Sequence, residues 1–142
     1  MYNKILLPID VNHKASWDKA LPQALELCKT YNASLQLMTV LPDFGLPLVG
    51  GFFPKDFAPK AKKALTDALR EFAKEKIPKE IKVQRIVADG KPYEAILRVA
   101  KKQDVDLIVM ASHKRKRVED YLIGTNAMRV VQQSKKSVMI VR

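Results

Sequence analysis

The sequence predicts an α/β fold: a single doubly wound domain whose five-stranded parallel sheet runs in the order 3-2-1-4-5, with four helices distributed over both faces. Three observations carry this. Apolar strand-like runs alternate with segments of helical period along the whole chain, and such alternation builds a parallel sheet flanked by helices. The run Leu107-Ile108-Val109-Met110-Ala111 is continuously apolar and short, as suits a strand buried on both faces. Right-handed crossovers then restrict the topology to a doubly wound sheet. The switch point falls between the first and fourth strands and sets Asp10 beside Ala111–Lys114.

Each element has its own signal. Lys4–Asp10 (KILLPID) forms the first strand, with Pro8 near its end because proline cannot donate to a ladder. Asp10 closes that strand, either as a cap or turn residue or as a ligand contact. Ser16–Tyr31 carries an apolar stripe of Trp17, Ala20, Leu21, Ala24, Leu25, Cys28 and Tyr31, with Ser16 as N-cap. Pro22 conflicts with an uninterrupted helix there and predicts a bend or a late start.

Ser34–Leu41 (SLQLMTVL) is the second strand, stopped by Pro42. Residues 43–57 are rich in glycine, proline and phenylalanine and form a loop, with Gly50-Gly51 as a turn or hinge. Its two readings are a lid or binding loop, or a segment pinned down by Phe52, Phe53 and Phe57. Ala58–Lys76 is an amphipathic helix ended by Ile77-Pro78. Ile81–Ala88 is a strand nearer the edge, Asp89-Gly90 a turn, and Pro92 the first residue of the next helix. Ala127, Val130 and Val131 mark a final helix, and Ser137–Arg142 (SVMIVR) a last strand. An apolar terminal strand needs covering or pairing, so a homodimer through Val138, Met139, Ile140 and Val141 is expected.

Composition narrows the function. No apolar run is long enough to span a bilayer, no cleavage site follows the N-terminal residues, and the single cysteine, Cys28, fits a reducing compartment. These features predict a cytoplasmic protein without a signal peptide. Cys28 lies on an apolar stripe and is expected in the core rather than as a reactive thiol. His13, His113 and Cys28 are too few and too scattered for a metal signature. The alanine-rich apolar face of Ala58–Lys76 suits packing on a sheet better than a membrane surface.

The formal net charge of +11 favours encounter with anions. The run Lys114-Arg115-Lys116-Arg117 concentrates that charge just after the fourth strand and ahead of Gly124-Thr125, where a helix begins. A strand end, a cationic loop and a helix N-terminus together make an anion site, most naturally for phosphate. No aromatic residues interleave with the basic run, so nucleic acid is not the expected partner. No Walker-type GxxxxGK[ST] is present and no serine–histidine–acid pattern is evident. Any nucleotide hydrolysis is therefore expected to be slow, and steady-state turnover above about 1 per second would refute that.

The opening KILLPID, the segment GKPYEAILRVAKKQDVDLIVMASH, the Gly124-Thr125 pair and the closing SVMIVR, in this order and spacing, resemble the universal stress protein family over the whole chain. Many members bind ATP through Gly-x2-Gly-x9-Gly-Ser/Thr. Aligned to it, Ala111 and Lys114 stand where the first two glycines would be, and Gly124-Thr125 are kept at the right distance. The resemblance implies a stress-response protein binding ATP, or ADP or AMP, with Mg as a candidate companion. It places Asp10 and Val40 at the base and ribose, with Pro8 also among the nucleotide-binding residues. Met110, Ala111, Ser112, His113, Lys114, Arg115, Gly124, Thr125 and Asn126 fall around the ribose and phosphates. The two replaced glycines leave a second reading, a nucleotide-free member acting as an interaction module for a protein or anionic partner.

Overall fold

Ten secondary-structure elements form in the computed structural model, which describes residues 1–41, 57–112 and 124–142. They are β1 (Lys4–Pro8), a 3-10 turn (Lys14–Ser16), α1 (Ala20–Tyr31), β2 (Ser34–Leu41), α2 (Phe57–Lys76), β3 (Val83–Asp89), α3 (Pro92–Lys102), β4 (Leu107–Ala111), α4 (Thr125–Gln133) and β5 (Ser137–Val141). Among the described residues the strands make one five-stranded sheet in the order β3-β2-β1-β4-β5 with every pairing parallel, as the alternation predicts.

Strand parity divides the core in two. Ile5, Leu7, Ile9, Leu107, Val109 and Ala111 face one way and pack against α1 and α2; Leu6, Ile108 and Met110 face the other way and pack against α3 and α4. Both faces of β1 and β4 are therefore dry, which is why these strands are apolar without alternation. Full burial of each such side chain is worth roughly 1.5–3 kcal/mol. β2 lies between β1 and β3 and is buried on both faces too, including the polar Gln36 and Thr39.

Several boundaries differ from the sequence reading. The first helix starts at Ala20 rather than Ser16, so Pro22 is its third residue. There its missing N–H has no intrahelical acceptor to lose, and the helix needs no bend. Ser16 does not cap that helix: it sits in the 3-10 turn, and Lys19 precedes α1 without a side-chain cap. The first strand ends at Pro8, and Ile81 lies ahead of β3, which starts at Val83; Ile81 is still buried in the first core cluster. Tyr31 and Val131, expected on apolar stripes, are exposed, the former stacked edge-on against Tyr2.

The turn after β3 holds Gly90 at φ +107, a conformation that a side chain would strain. Pro92 opens α3 as expected. The loop expected at residues 43–57 lies outside the described residues except for Phe57, the first residue of α2.

Candidate functional site

β1 leaves the sheet's centre by turning away from β4. Its ladder with β2 runs to Pro8↔Met38 and is extended by the Ile9 N–H donating to the Met38 carbonyl at 2.8 Å. Its ladder with β4 is recorded only at Ile5↔Leu107 and Leu6↔Ile108, although β4 continues to Ala111. The carboxyl ends of the two central strands thus part, and helices leave them on opposite faces. A crevice at this switch point is where open α/β sheets take ligands.

Asp10 stands on the β1 side of this crevice. Its backbone is held by Ser16, which is only 3% exposed. The Asp10 N–H donates to Ser16 Oγ at 2.8 Å, and that hydroxyl faces the carbonyls of Asp10 at 2.9 Å and His13 at 2.7 Å. One buried hydroxyl therefore closes the turn after β1. The Asp10 carboxylate stays exposed. Its Oδ1 accepts the Asn12 N–H at 3.0 Å, a turn contact of the kind aspartate favours, and Oδ2 lies 3.9 Å from His13 Nε2. The turn reading of Asp10 holds through Oδ1, while Oδ2 lies on the exposed side beside His13.

Val40 is half-buried near the end of β2, in register with Ala88, and Pro8 is half-buried at the end of β1. On the β4 side, Met110 is 6% exposed and packs in the cluster under α3 and α4, so its side chain belongs mainly to the core. Ala111 pairs with Val141, and its methyl group packs into the opposite cluster. Positive φ among described non-glycine residues occurs only at Asn32 and Asp104. Ala111 thus has ordinary strand backbone, and an alanine here carries no left-handed strain. The Ser112 N–H donates to the Val141 carbonyl at 2.9 Å, which ties this strand end to β5.

Next among the described residues after β4 comes the N-terminus of α4. Gly124 precedes it with φ -59 and ψ 152, and no side chain caps it. The first-turn N–H groups of Thr125, Asn126 and Ala127 have no carbonyl one turn back within the helix to receive them. Thr125 is exposed and Asn126 half-buried. Uncapped N–H groups with the helix dipole behind them attract an anion, so the residues present fit a phosphate-bearing ligand. Among the described residues no group of three or more His, Cys, Asp or Glu could hold a metal ion. His113, Lys114 and Arg115 lie outside the described residues.

Sequence reasoning missed Ser16 as a part of this site. The signal available was its spacing from Asp10 across a polar stretch, but a serine before an apolar stripe looks like a helix cap until the helix start is known. The last strand, β5, is at the edge of the sheet, with Val138, Met139, Ile140 and Val141 all half-buried in the single chain. Arg129 stacks its guanidinium 4.8 Å from the Tyr93 ring of α3, and Met128 and Val131 of α4 are exposed. No helix among the described residues is long and apolar enough to cross a membrane.

Comparison with known proteins follows the geometry. The model of a family described as the universal stress protein family matches residues 1–142. A universal stress protein of Methanocaldococcus jannaschii is 29% identical over 158 aligned residues, covering 100% of this chain and 96% of its own. The solved structure of the universal stress protein UspA from Lactobacillus plantarum superposes with a TM-score of 0.78 at 19% identity, covering 99% of this chain and 98% of that one. A universal stress protein from Archaeoglobus fulgidus, solved in complex with dAMP, superposes with a TM-score of 0.65 at 19% identity, covering 99% and 98%.

Proposed function

Because the chain belongs to the universal stress protein family, we propose that it is a cytoplasmic stress-response protein that binds ATP or a related adenine nucleotide between the carboxyl ends of β1 and β4. The observation that carries this reading is the parting of those two strands at their carboxyl ends, and the helix that follows β4 among the described residues begins at Gly124-Thr125 with no described side chain capping it. Asp10, Pro8 and Val40 would hold the base and ribose. Ala111, Ser112, Gly124, Thr125 and Asn126 would surround the phosphates, with His113, Lys114 and Arg115 supplying charge from the loop between them. The dAMP complex of the Archaeoglobus fulgidus relative supports an adenine nucleotide as the ligand class. Bound nucleotide would act as a signal rather than a substrate, with any hydrolysis or autophosphorylation slow. Mg would enter with the phosphates.

Lysine at position 114, in place of a glycine, favours a second reading, a nucleotide-free interaction module. Calorimetric titration of stripped protein with Mg-ATP separates the two. Micromolar binding is expected; silence of both ATP and AMP to millimolar concentration would remove the first reading. The double variant Ala111→Gly, Lys114→Gly then changes affinity modestly under the first reading and creates ATP binding under the second.

The proposal includes a homodimer. β5 is an open edge of the sheet, and the exposed Met128 and Val131 extend its apolar surface onto α4. Light scattering of Val138→Asp or Met139→Lys should show a monomer, and an unchanged dimer mass would sink this interface.

A further inference from the structure

The other open edge of the sheet, β3, combines free backbone with converging positive charge. Lys62, Thr66, Leu69 and Arg70 of α2 and Arg85 and Val87 of β3 line a cleft of about 250 Å³. Leu69 is buried at its floor, while Lys62, Arg70 and Arg85 are exposed around it. Arg70 has one acid nearby, Asp67 at 3.4 Å, with both side chains more than half exposed. Lys62 and Arg85 have no ion pair among the described residues. The cleft thus holds three cations against a single neighbouring carboxylate.

Among the described residues, the outer edge of the backbone beside these cations has no strand partner. The Leu35 N–H donates to the Lys82 carbonyl and the Gly90 N–H to the Leu41 carbonyl, so the even-numbered residues of β3 bond to β2. In a parallel ladder the N–H and C=O of one residue point to the same side. Val83, Arg85 and Val87 therefore turn their N–H and C=O groups outward, away from the sheet. At the far end, the Asp89 carbonyl accepts a 2.8 Å bond from the Arg98 guanidinium and closes the edge there. Val83, Arg85 and Val87 also share the sheet face that α2 covers, since Val83 and Val87 pack with the α2-side cluster. A strand laid along the edge would lie about 4.8 Å from β3 and alongside the cations of the cleft.

We propose that the open edge of β3 is a docking surface for an extended acidic segment of a partner protein, which adds as a further strand and sets its carboxylates against Lys62, Arg70 and Arg85. Charged edge residues commonly protect a sheet from unwanted pairing. Here they repel basic strands and attract acidic ones, so protection and selection come from the same side chains. Main-chain hydrogen bonds supply affinity in this mode, and side-chain contacts supply the choice of partner. The charge complementarity requires an anion, and the row of amide-shaped donors and acceptors makes it a peptide rather than a nucleic acid. Among the described residues no aromatic ring lines the cleft for base stacking.

The test uses the full chain and a fluorescent peptide of alternating Glu and Val, followed by anisotropy at moderate salt. Saturable binding is expected, weakened about tenfold or more by Arg85→Glu. The same peptide N-methylated at every residue should lose binding, because neither of its edges can then donate to β3. Lys62→Glu, on the exposed flank of α2, gives the same weakening if Arg85→Glu proves poorly folded by circular dichroism. No binding of the parent protein to millimolar peptide would overturn the proposal. So would equal binding of the N-methylated peptide, or insensitivity to both substitutions. Tighter binding of oligothymidylate, with displacement of the peptide, would overturn it in favour of nucleic acid. None of these outcomes depends on nucleotide binding at the β1–β4 crevice.

Discussion

The two ends of the sheet treat their polar groups in opposite ways. At the amino end Asp106 Oδ2 accepts the N–H groups of Asn3 at 2.7 Å and Lys4 at 2.9 Å. Lys136 Nζ meets Asp104 Oδ1 at 2.6 Å, and Lys4 Nζ reaches the Gln103 carbonyl at 3.2 Å. These groups answer one another and join the start of β1 to the segment ahead of β4. At the carboxyl end the backbone is just as firmly set, through Ser16, but the groups facing the crevice keep unused capacity. Asp10 Oδ2 has only the exposed His13 ring 3.9 Å away, and no described side chain caps α4. The amino end is closed chemistry that fixes the strands; the carboxyl end is a rigid frame with donors and an acceptor left over for a ligand.

If that contrast is right, substitutions at the two ends should separate stability from binding. The largest effect is expected at Asp10→Ala, which should weaken nucleotide binding roughly 10- to 100-fold. Its Tm should barely move, since the side chain is exposed; a large fall in Tm with unchanged affinity would reverse the assignment of ends. Ser16→Ala should do both. It leaves the Asp10 N–H without its buried acceptor, costs about 1–3 kcal/mol of stability in a denaturant titration, and loosens the nucleotide site. A stable variant with weakened binding would show that Ser16 acts on the site alone.

Asp106→Asn should cost less, under about 1 kcal/mol, because solvent screens a partly exposed carboxylate, and it should leave nucleotide affinity unchanged. Its pH dependence is the sharper readout. The Lys4 N–H first, then the Asn3 N–H, holds the Asp106 carboxyl below its ordinary value. Its stabilisation is therefore complete above the usual aspartate range, about 3.9, and is lost as pH falls through the lower folded value. Thermal melts from neutral to acid pH should show the gap between parent and Asp106→Asn closing below about pH 4. A gap that widened in acid would contradict it. The smallest effect belongs to Lys136→Ala. Its bridge to Asp104 is exposed to water on the carboxylate side, and Tm should stay within error.

Cys28 shows how far local pattern can carry. A cysteine on an apolar stripe was expected in the core, and it is buried there, with burial pushing its thiol up to about 11. It is protonated at neutral pH and a poor nucleophile, so the chain's single thiol offers no redox handle while folded.

The sequence by itself determined the five strands, the strand order and the double burial of β1 and β4. Those features follow from period and run length, and a parallel sheet with right-handed crossovers admits few alternatives. It also located Asp10, Gly124 and Thr125 at strand and helix ends, since turn and cap chemistry is local. What only the tertiary structure decided is longer in range. Ser16 moved from helix cap to clamp because the chain after β1 makes a 3-10 turn before α1 begins, and a serine's partner depends on that path. Ala111 proved unstrained because its ladder with β5 sets its backbone, which no local signal reports. The cleft beside β3 joins α2 to a strand with the whole 77–82 connection between them. Charges that are scattered in sequence meet there only because both elements pack on the same face of the same sheet.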